Sequence, residues 1–187
     1  LKELGISSCN IVGWSMGSAV ALSIAKKNKS LVNKLVLITP FSWLGGAVYS
    51  DKVAFKIFVS FVRVRERLFP NLNPKSKFSF LKKSNSINDE YTEWAWNNLH
   101  KSKDDFIYAD GGRFVVPYDA RPWIQEIEAE TLVITGGRDK LVPEETSNDV
   151  VKRLNEVKVK TFPDAGHSVP WTHEEDLLTE LRKFFSL

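Results

Sequence analysis

The sequence has little cysteine, methionine or histidine: among 187 residues there is one cysteine (Cys9), one methionine (Met16) and three histidines. A single cysteine excludes an internal disulfide and any cysteine-rich metal site. Cys9 reads as a small buried hydrophobe just ahead of a strand. A large excess of charge of one sign is also lacking. The formal net charge is only +3, which gives no basis for binding nucleic acid. Long hydrophobic runs are missing, since the longest nearly uncharged apolar stretch, Val53 to Val62, is broken by Lys56 and is too short to span a bilayer. No stable membrane insertion is therefore expected, and a cytoplasmic location is. Neither a GxGxxG nor a P-loop pattern occurs, and no His/Asp/Glu run has metal-ligand spacing. No cofactor and no metal are expected.

What is present is the composition of a soluble globular domain, 43% hydrophobic and 26% charged. The first residue is Leu, and Leu1-Lys2-Glu3-Leu4-Gly5 has the look of a last helical turn closed by a C-cap glycine. On that reading the chain begins inside a domain. Asn10-Ile11-Val12 then reads as a buried strand, followed by Gly13-Trp14-Ser15-Met16-Gly17 and a helix to about Lys27. Leu35 to Thr39 is a second apolar run, suited to a strand covered on both faces and ended by Pro40. Strand, helix and strand within about thirty residues form a βαβ unit, which implies a parallel sheet and a right-handed crossover.

From Ser42 to Pro122 the pattern changes. This stretch holds most of the aromatic residues and a net positive charge, with no convincing parallel strand. Asp51 to Phe69 predicts a helix with Ala54, Phe55, Phe58, Phe61, Val62 and Leu68 on a broad apolar face, stopped by Pro70. Asn88 to Lys101 predicts a second helix through Tyr91, Trp94, Ala95, Asn98 and Leu99. Gly45-Gly46 reads as the hinge into this insertion. The division expected is a core of residues 1–41 and 123–187, with 42–122 inserted as a helical cap.

Beyond Trp123 the core pattern returns. Thr131 to Thr135 is a third apolar strand leading into Gly136-Gly137-Arg138-Asp139, and Pro143 to Leu154 is helical. Val157 to Phe162 alternates, and its two lysines, Lys158 and Lys160, suit a sheet edge. Asp164-Ala165-Gly166-His167 follows. A last helix opens on the capping-box pattern Thr172-His173-Glu174-Glu175 and runs through Leu177, Leu178, Leu181, Phe184 and Phe185.

Three polar residues thus end three strands: Ser15, Asp139 and His167. In a parallel sheet those strand ends open on one edge, so residues far apart in the chain can converge there. Serine is a weak nucleophile until an imidazole takes its proton, and the imidazole needs a carboxylate to fix its tautomer. The strained turn between strand and helix asks for glycine at 13 and 17, where side chains would collide, and it aims the Met16 N–H at an oxygen held beside Ser15. His100 and His173 read as surface residues. Arg121 can pair with Asp119 or reach a substrate carboxylate, and the ion pair is the preferred reading.

A strand–GxSxG–helix passage with Ser, Asp and His in that order resembles the α/β-hydrolase superfamily. Asp119 to Ile124 and Gly136 to Pro143 are similar to segments of bacterial esterase-like hydrolases. The resemblance implies an α/β fold, here an incomplete α/β-hydrolase fold with a mostly parallel sheet, flanking helices and the inserted cap. It also implies a missing N-terminal half or a complementing chain, because the family's elbow strand lies in mid-sheet and its second oxyanion donor comes from an earlier loop. Alone, the first strand would present an unpaired apolar edge. The function implied is a serine hydrolase cleaving carboxylic esters through an acyl-enzyme, with Ser15 attacking, His167 moving the proton, Asp139 orienting His167 and the Met16 N–H holding the oxyanion. The partner implied is a small, apolar ester, bounded by Trp14, Phe55 and Phe58. Carbon–carbon hydrolase, thioesterase, peptidase and acyltransferase chemistry stay open, as does a non-catalytic ligand-binding member or fragment.

Overall fold

A computed structural model describes residues 1–43, 117–142 and 144–187, with the single positions 60, 64, 68, 94 and 115 between them. Four strands form one parallel sheet in the spatial order β1 (Cys9–Trp14), β2 (Val32–Ile38), β3 (Glu130–Gly136) and β4 (Val157–Phe162). Helix α1 (Met16–Lys27) joins β1 to β2, and α2 (Glu144–Arg153) joins β3 to β4. The short α3 (Val169–Thr172) leads into α4 (Glu174–Phe185).

The apolar run of β2 is continuous because both its faces are covered. Leu35, Val36 and Leu37 are fully buried, as a central parallel strand requires. Its side chains alternate between two cores with the period of a strand. Leu35 and Leu37 join Val133 of β3, Leu22 and Ala25 of α1 and Val150 of α2 on one face. Val36 and Ile38 join Leu132 and Ile134 of β3 and Leu177 and Phe184 of α4 on the other. The in-register pairs Leu37↔Val133 and Val36↔Leu132 keep each face in step from strand to strand.

The expected strands and helices of residues 1–41 and 123–187 are all found, within a residue or a few of their predicted ends. Several details differ. Asn10 to Val12 is not a buried strand: Asn10 is exposed and Val12 is 48% exposed, because β1 ends the sheet among the described residues and pairs with β2 alone. Cys9 is half-buried rather than buried. The opening turn is a 3-10 turn over Lys2–Leu4, and Gly5 takes the left-handed φ of 66° that ends it. The capping box at Thr172 does not form. Thr172 already belongs to α3, so its hydroxyl donates back to the Ser168 carbonyl at 3.1 Å, and α4 starts after His173 with no side-chain cap. Lys158 and Lys160 do lie on the edge strand β4, paired with Glu130 and Glu180.

The chain leaves and re-enters this core side by side. Trp43 and Asp119 form an isolated antiparallel bridge, and Arg121 clamps Asp119 with two parallel bonds, Nε–Oδ1 at 2.8 Å and Nη2–Oδ2 at 2.7 Å, while lying over the Trp43 ring. The ion pair expected of Arg121 is the one observed. Ser60, Val64, Leu68 and Trp94 are helical and exposed. Leu68, on the predicted apolar face, is 64% exposed. The remainder of the helices predicted at 51–69 and 88–101, including Phe55 and Phe58, lies outside the described residues, as does Gly45-Gly46. Among the described residues no helix is long and apolar enough to cross a membrane.

Candidate active site

The turn from β1 into α1 holds Ser15 at φ 54° and ψ −121°, a backbone that non-glycine residues seldom adopt. Hydrogen bonds hold it there. The Ser15 N–H donates to the Ile38 carbonyl at 2.9 Å, and the Ser15 carbonyl accepts from both the N–H and the hydroxyl of Ser18. Gly13 is needed for the close approach, since a Cβ there would lie 2.5 Å from the Gly17 carbonyl oxygen and 2.9 Å from the Ala21 methyl. The parallel expectation for Gly17 is corrected: a Cβ on it would meet nothing within 4 Å among the described residues. The crowding is one-sided, with the backbone of Gly17 pressing on position 13. Met16 is the first residue of α1, so its N–H is one of the donors that a helix start leaves without an intrahelical acceptor.

Asp139 is brought in by the loop after β3. Gly136 and Gly137 let that loop lie against the loop after β4. A Cβ on Gly136 would sit 2.7 Å from the Ala165 oxygen and one on Gly137 2.6 Å from the Pro163 oxygen. Gly137 N–H to Phe162 O and Arg138 N–H to Ala165 O, both 2.9 Å, stitch the two loops together. Asp139 Oδ1 accepts the N–H groups of Leu141 at 2.8 Å and Val142 at 3.1 Å, which fixes the carboxylate and leaves Oδ2 for His167.

The three residues then meet. His167 Nδ1 lies 2.9 Å from Asp139 Oδ2, and His167 Nε2 lies 2.8 Å from Ser15 Oγ. The Asp139 and His167 side chains are about nine-tenths buried. A carboxylate can only accept, so Nδ1 carries a proton, and in the neutral ring Nε2 is then the acceptor for the Ser15 hydroxyl. Trp14 is turned toward the same loop: its indole N–H donates to the His167 carbonyl at 2.9 Å, and its ring packs on the core cluster that contains Ile38 and Phe162.

His173 departs from expectation. Its side chain is only 16% exposed, with Nε2 bonded to Asp164 Oδ1 at 3.2 Å and the ring against Phe162. The Asp164 carboxyl is held below the usual carboxylate range, first by its own backbone N–H and then by His173. A cleft of about 150 Å³ opens beside Asp139, lined also by Thr39, Thr135, Ser147 and Thr161, but neither Ser15 nor His167 lines it. Sequence reasoning missed Thr39 as part of this setting. Thr39 is buried at φ 46°, with its hydroxyl unpartnered among the described residues. A β-branched residue gives no local signal for such a backbone.

The family model described as alpha/beta hydrolase fold matches residues 1–174. The chain belongs to this family. Among curated proteins it is 28% identical over 184 residues to a 2-hydroxy-6-oxo-6-phenylhexa-2,4-dienoate hydrolase of Burkholderia cepacia. It is 27% identical over 186 residues to a 2-hydroxy-6-oxononadienedioate/2-hydroxy-6-oxononatrienedioate hydrolase of Comamonas testosteroni. In each case 94% of this chain is covered but 62% of the relative, so this hydrolase-fold chain spans about three fifths of the length of these relatives. Among solved structures, an esterase from Exiguobacterium antarcticum superposes with a TM-score of 0.77 at 18% identity, over 100% of this chain and 69% of the other. That likeness is one of fold.

Proposed function

We propose that this α/β-hydrolase chain carries the reacting groups of a serine hydrolase that works through an acyl-enzyme on Ser15. The observation that supports this best is the unbroken line Ser15 Oγ–His167 Nε2 and His167 Nδ1–Asp139 Oδ2, at 2.8 and 2.9 Å. In the proposed sequence Ser15 Oγ attacks a carbonyl carbon while His167 Nε2 takes its proton. Asp139 stabilises the imidazolium, and the Met16 N–H faces the developing oxyanion. His167 returns the proton to the leaving group, and a water then repeats the steps to free the acid. The inserted segment 42–122, with Phe55 and Phe58 among its aromatic residues, is proposed to supply an apolar wall.

The bond broken is read from the relatives. A 2-hydroxy-6-oxo-dienoate contains no ester, so its hydrolysis must break the carbon–carbon bond beside the 6-oxo carbon, with the departing carbon taking the proton. We propose a substrate of this kind: a ketone flanked by a conjugated, carboxylate-bearing chain. A simple carboxylic ester is the second reading, because attack on its carbonyl asks the same three groups to do the same work. A fluorophosphonate probe tests the mechanism. It should label the wild-type protein at Ser15 and leave Ser15→Ala unlabelled, and turnover in Ser15→Ala should fall by about 10⁴-fold or more. A folded protein that ignores the probe rules the mechanism out. Consumption of 2-hydroxy-6-oxo-6-phenylhexa-2,4-dienoate, set against a p-nitrophenyl ester, separates the two substrate readings.

A further inference from the structure

The loop carrying His167 must reach across the four described strands. Ser15 follows β1 and His167 follows β4, at opposite ends of the order β1-β2-β3-β4. With parallel strands ~4.8 Å apart, the two strand ends are about 14 Å from each other. The loop is stitched firmly to its neighbour β3 through Gly137 and Arg138. At the far side, side-chain bonds from the Ser15 turn meet it. One is the reacting pair Ser15–His167 itself, which is broken and remade during chemistry. Another is the indole N–H of Trp14 on the carbonyl of His167, at 2.9 Å between residues 153 apart in the chain.

We infer that Trp14 is a positioning residue: it ties the turn that carries Ser15 to the loop that carries His167, and it is not a wall of the substrate site. This assignment rests on the acyl-transfer reading above. The indole is a donor only and the carbonyl an acceptor only, so the bond has one possible sense and survives any change in the charge of the imidazole. The Trp14 ring backs the arrangement. It lies 5.6 Å from the His167 ring and 4.7 Å from that of Trp171, which sits on α3 directly beyond His167. One side chain therefore holds both the base and the helix that follows it. Trp171 in turn meets Trp94, 5.4 Å away and half-exposed, so the line of indoles runs from the base out to the inserted segment. Among the described residues the charged group facing His167 is Asp139. Asp164 and His173, on the same loop and just beyond it, are bonded to each other, and the exposed Arg138 acts on Asp164.

An imidazolium beside an indole quenches its fluorescence, and this supplies a readout independent of turnover. Tryptophan emission of the full chain should fall as His167 takes up a proton. That step should vanish in His167→Asn, shrink strongly in Trp14→Phe and persist in Trp171→Phe. In kinetics Trp14→Phe should lower kcat, or the rate of fluorophosphonate labelling, about tenfold with KM nearly unchanged, and should displace the acid limb of the pH profile. Trp14→Phe that raises KM while leaving kcat and the pH profile as they were would make Trp14 a substrate wall and overturn the inference. Should Trp14→Phe not fold, wild type against His167→Asn still decides, since an emission curve indifferent to His167 is incompatible with the contact. A protein that shows the emission step but takes no label at Ser15 would keep the tie between the two segments and remove the hydrolytic reading instead.

Discussion

Ser15 is held in a conformation that costs about 1–3 kcal/mol for a residue with a side chain, and the surrounding backbone bonds hold it there. The glycines around it contribute unequally. Gly13→Ala places a methyl 2.5 Å from a carbonyl oxygen, and a loss of about 3 kcal/mol is expected from overpacking against backbone. Gly17→Ala, with open space and a helical position, should leave stability unchanged or raise it by about 0.5–1 kcal/mol. Urea midpoints of the two variants check the contrast, and equal losses would mean that the turn is not crowded on one side. At Asp119 the bonds from Arg121 hold the carboxyl below its ordinary value of 3.8. A carboxylate lowered on folding stabilises the protein above that ordinary value and loses its effect as pH falls through the lowered one. Both side chains are about two-fifths exposed, so the advantage over Asp119→Asn should stay below about 1 kcal/mol. Thermal midpoints should differ at pH 6 and merge at strongly acid pH, and a gap that persists in acid would assign the effect to something other than this pair. The sequence offered this ion pair as the preferred of two readings of Arg121, and the structure forms it.

At the scale of elements, two loops from adjacent strands bring Asp139 and His167 together. Their contact depends on Gly136, where a Cβ would press on the Ala165 and Gly166 carbonyl oxygens. Gly136→Ala should cost about 2–3 kcal/mol and slow fluorophosphonate labelling much more than Gly17→Ala does. Unslowed labelling would show that Asp139 does not depend on how closely these loops pack. That both faces of β2 are covered was readable, because the continuous apolar run Leu35 to Thr39, ended by Pro40, suits a strand buried on both sides. The start of α4 was not. Thr172, His173 and Glu175 have capping-box spacing, but a short preceding helix uses the threonine first, and local spacing carries no record of that competition.

At the largest scale, the feature that matters among the described residues is the open side of β1. Among the described residues β1 pairs on one side only, and Val12, Met16 and Val20 on β1 and α1 are each more than two-fifths exposed. β4, at the other end, is guarded by two lysines that are both engaged in ion pairs. An apolar edge without such guards recruits other chains. Val12→Lys should therefore reduce the concentration-dependent light scattering of the 187-residue chain, and unchanged scattering would locate any association elsewhere.

The sequence by itself determined the strands, the helices beside them and the order Ser15, Asp139, His167 along one sheet edge. Periodicity and turn chemistry are local, and a parallel sheet puts its strand ends together whatever the details. Only the tertiary structure decided that Nε2 reaches Oγ, that Trp14 turns its N–H to the His167 carbonyl, that position 13 is crowded and position 17 is not, and that His173 is largely buried against Asp164 and Phe162. Each of these depends on how closely segments distant in the chain approach one another, and that distance is set by the packing of the entire core.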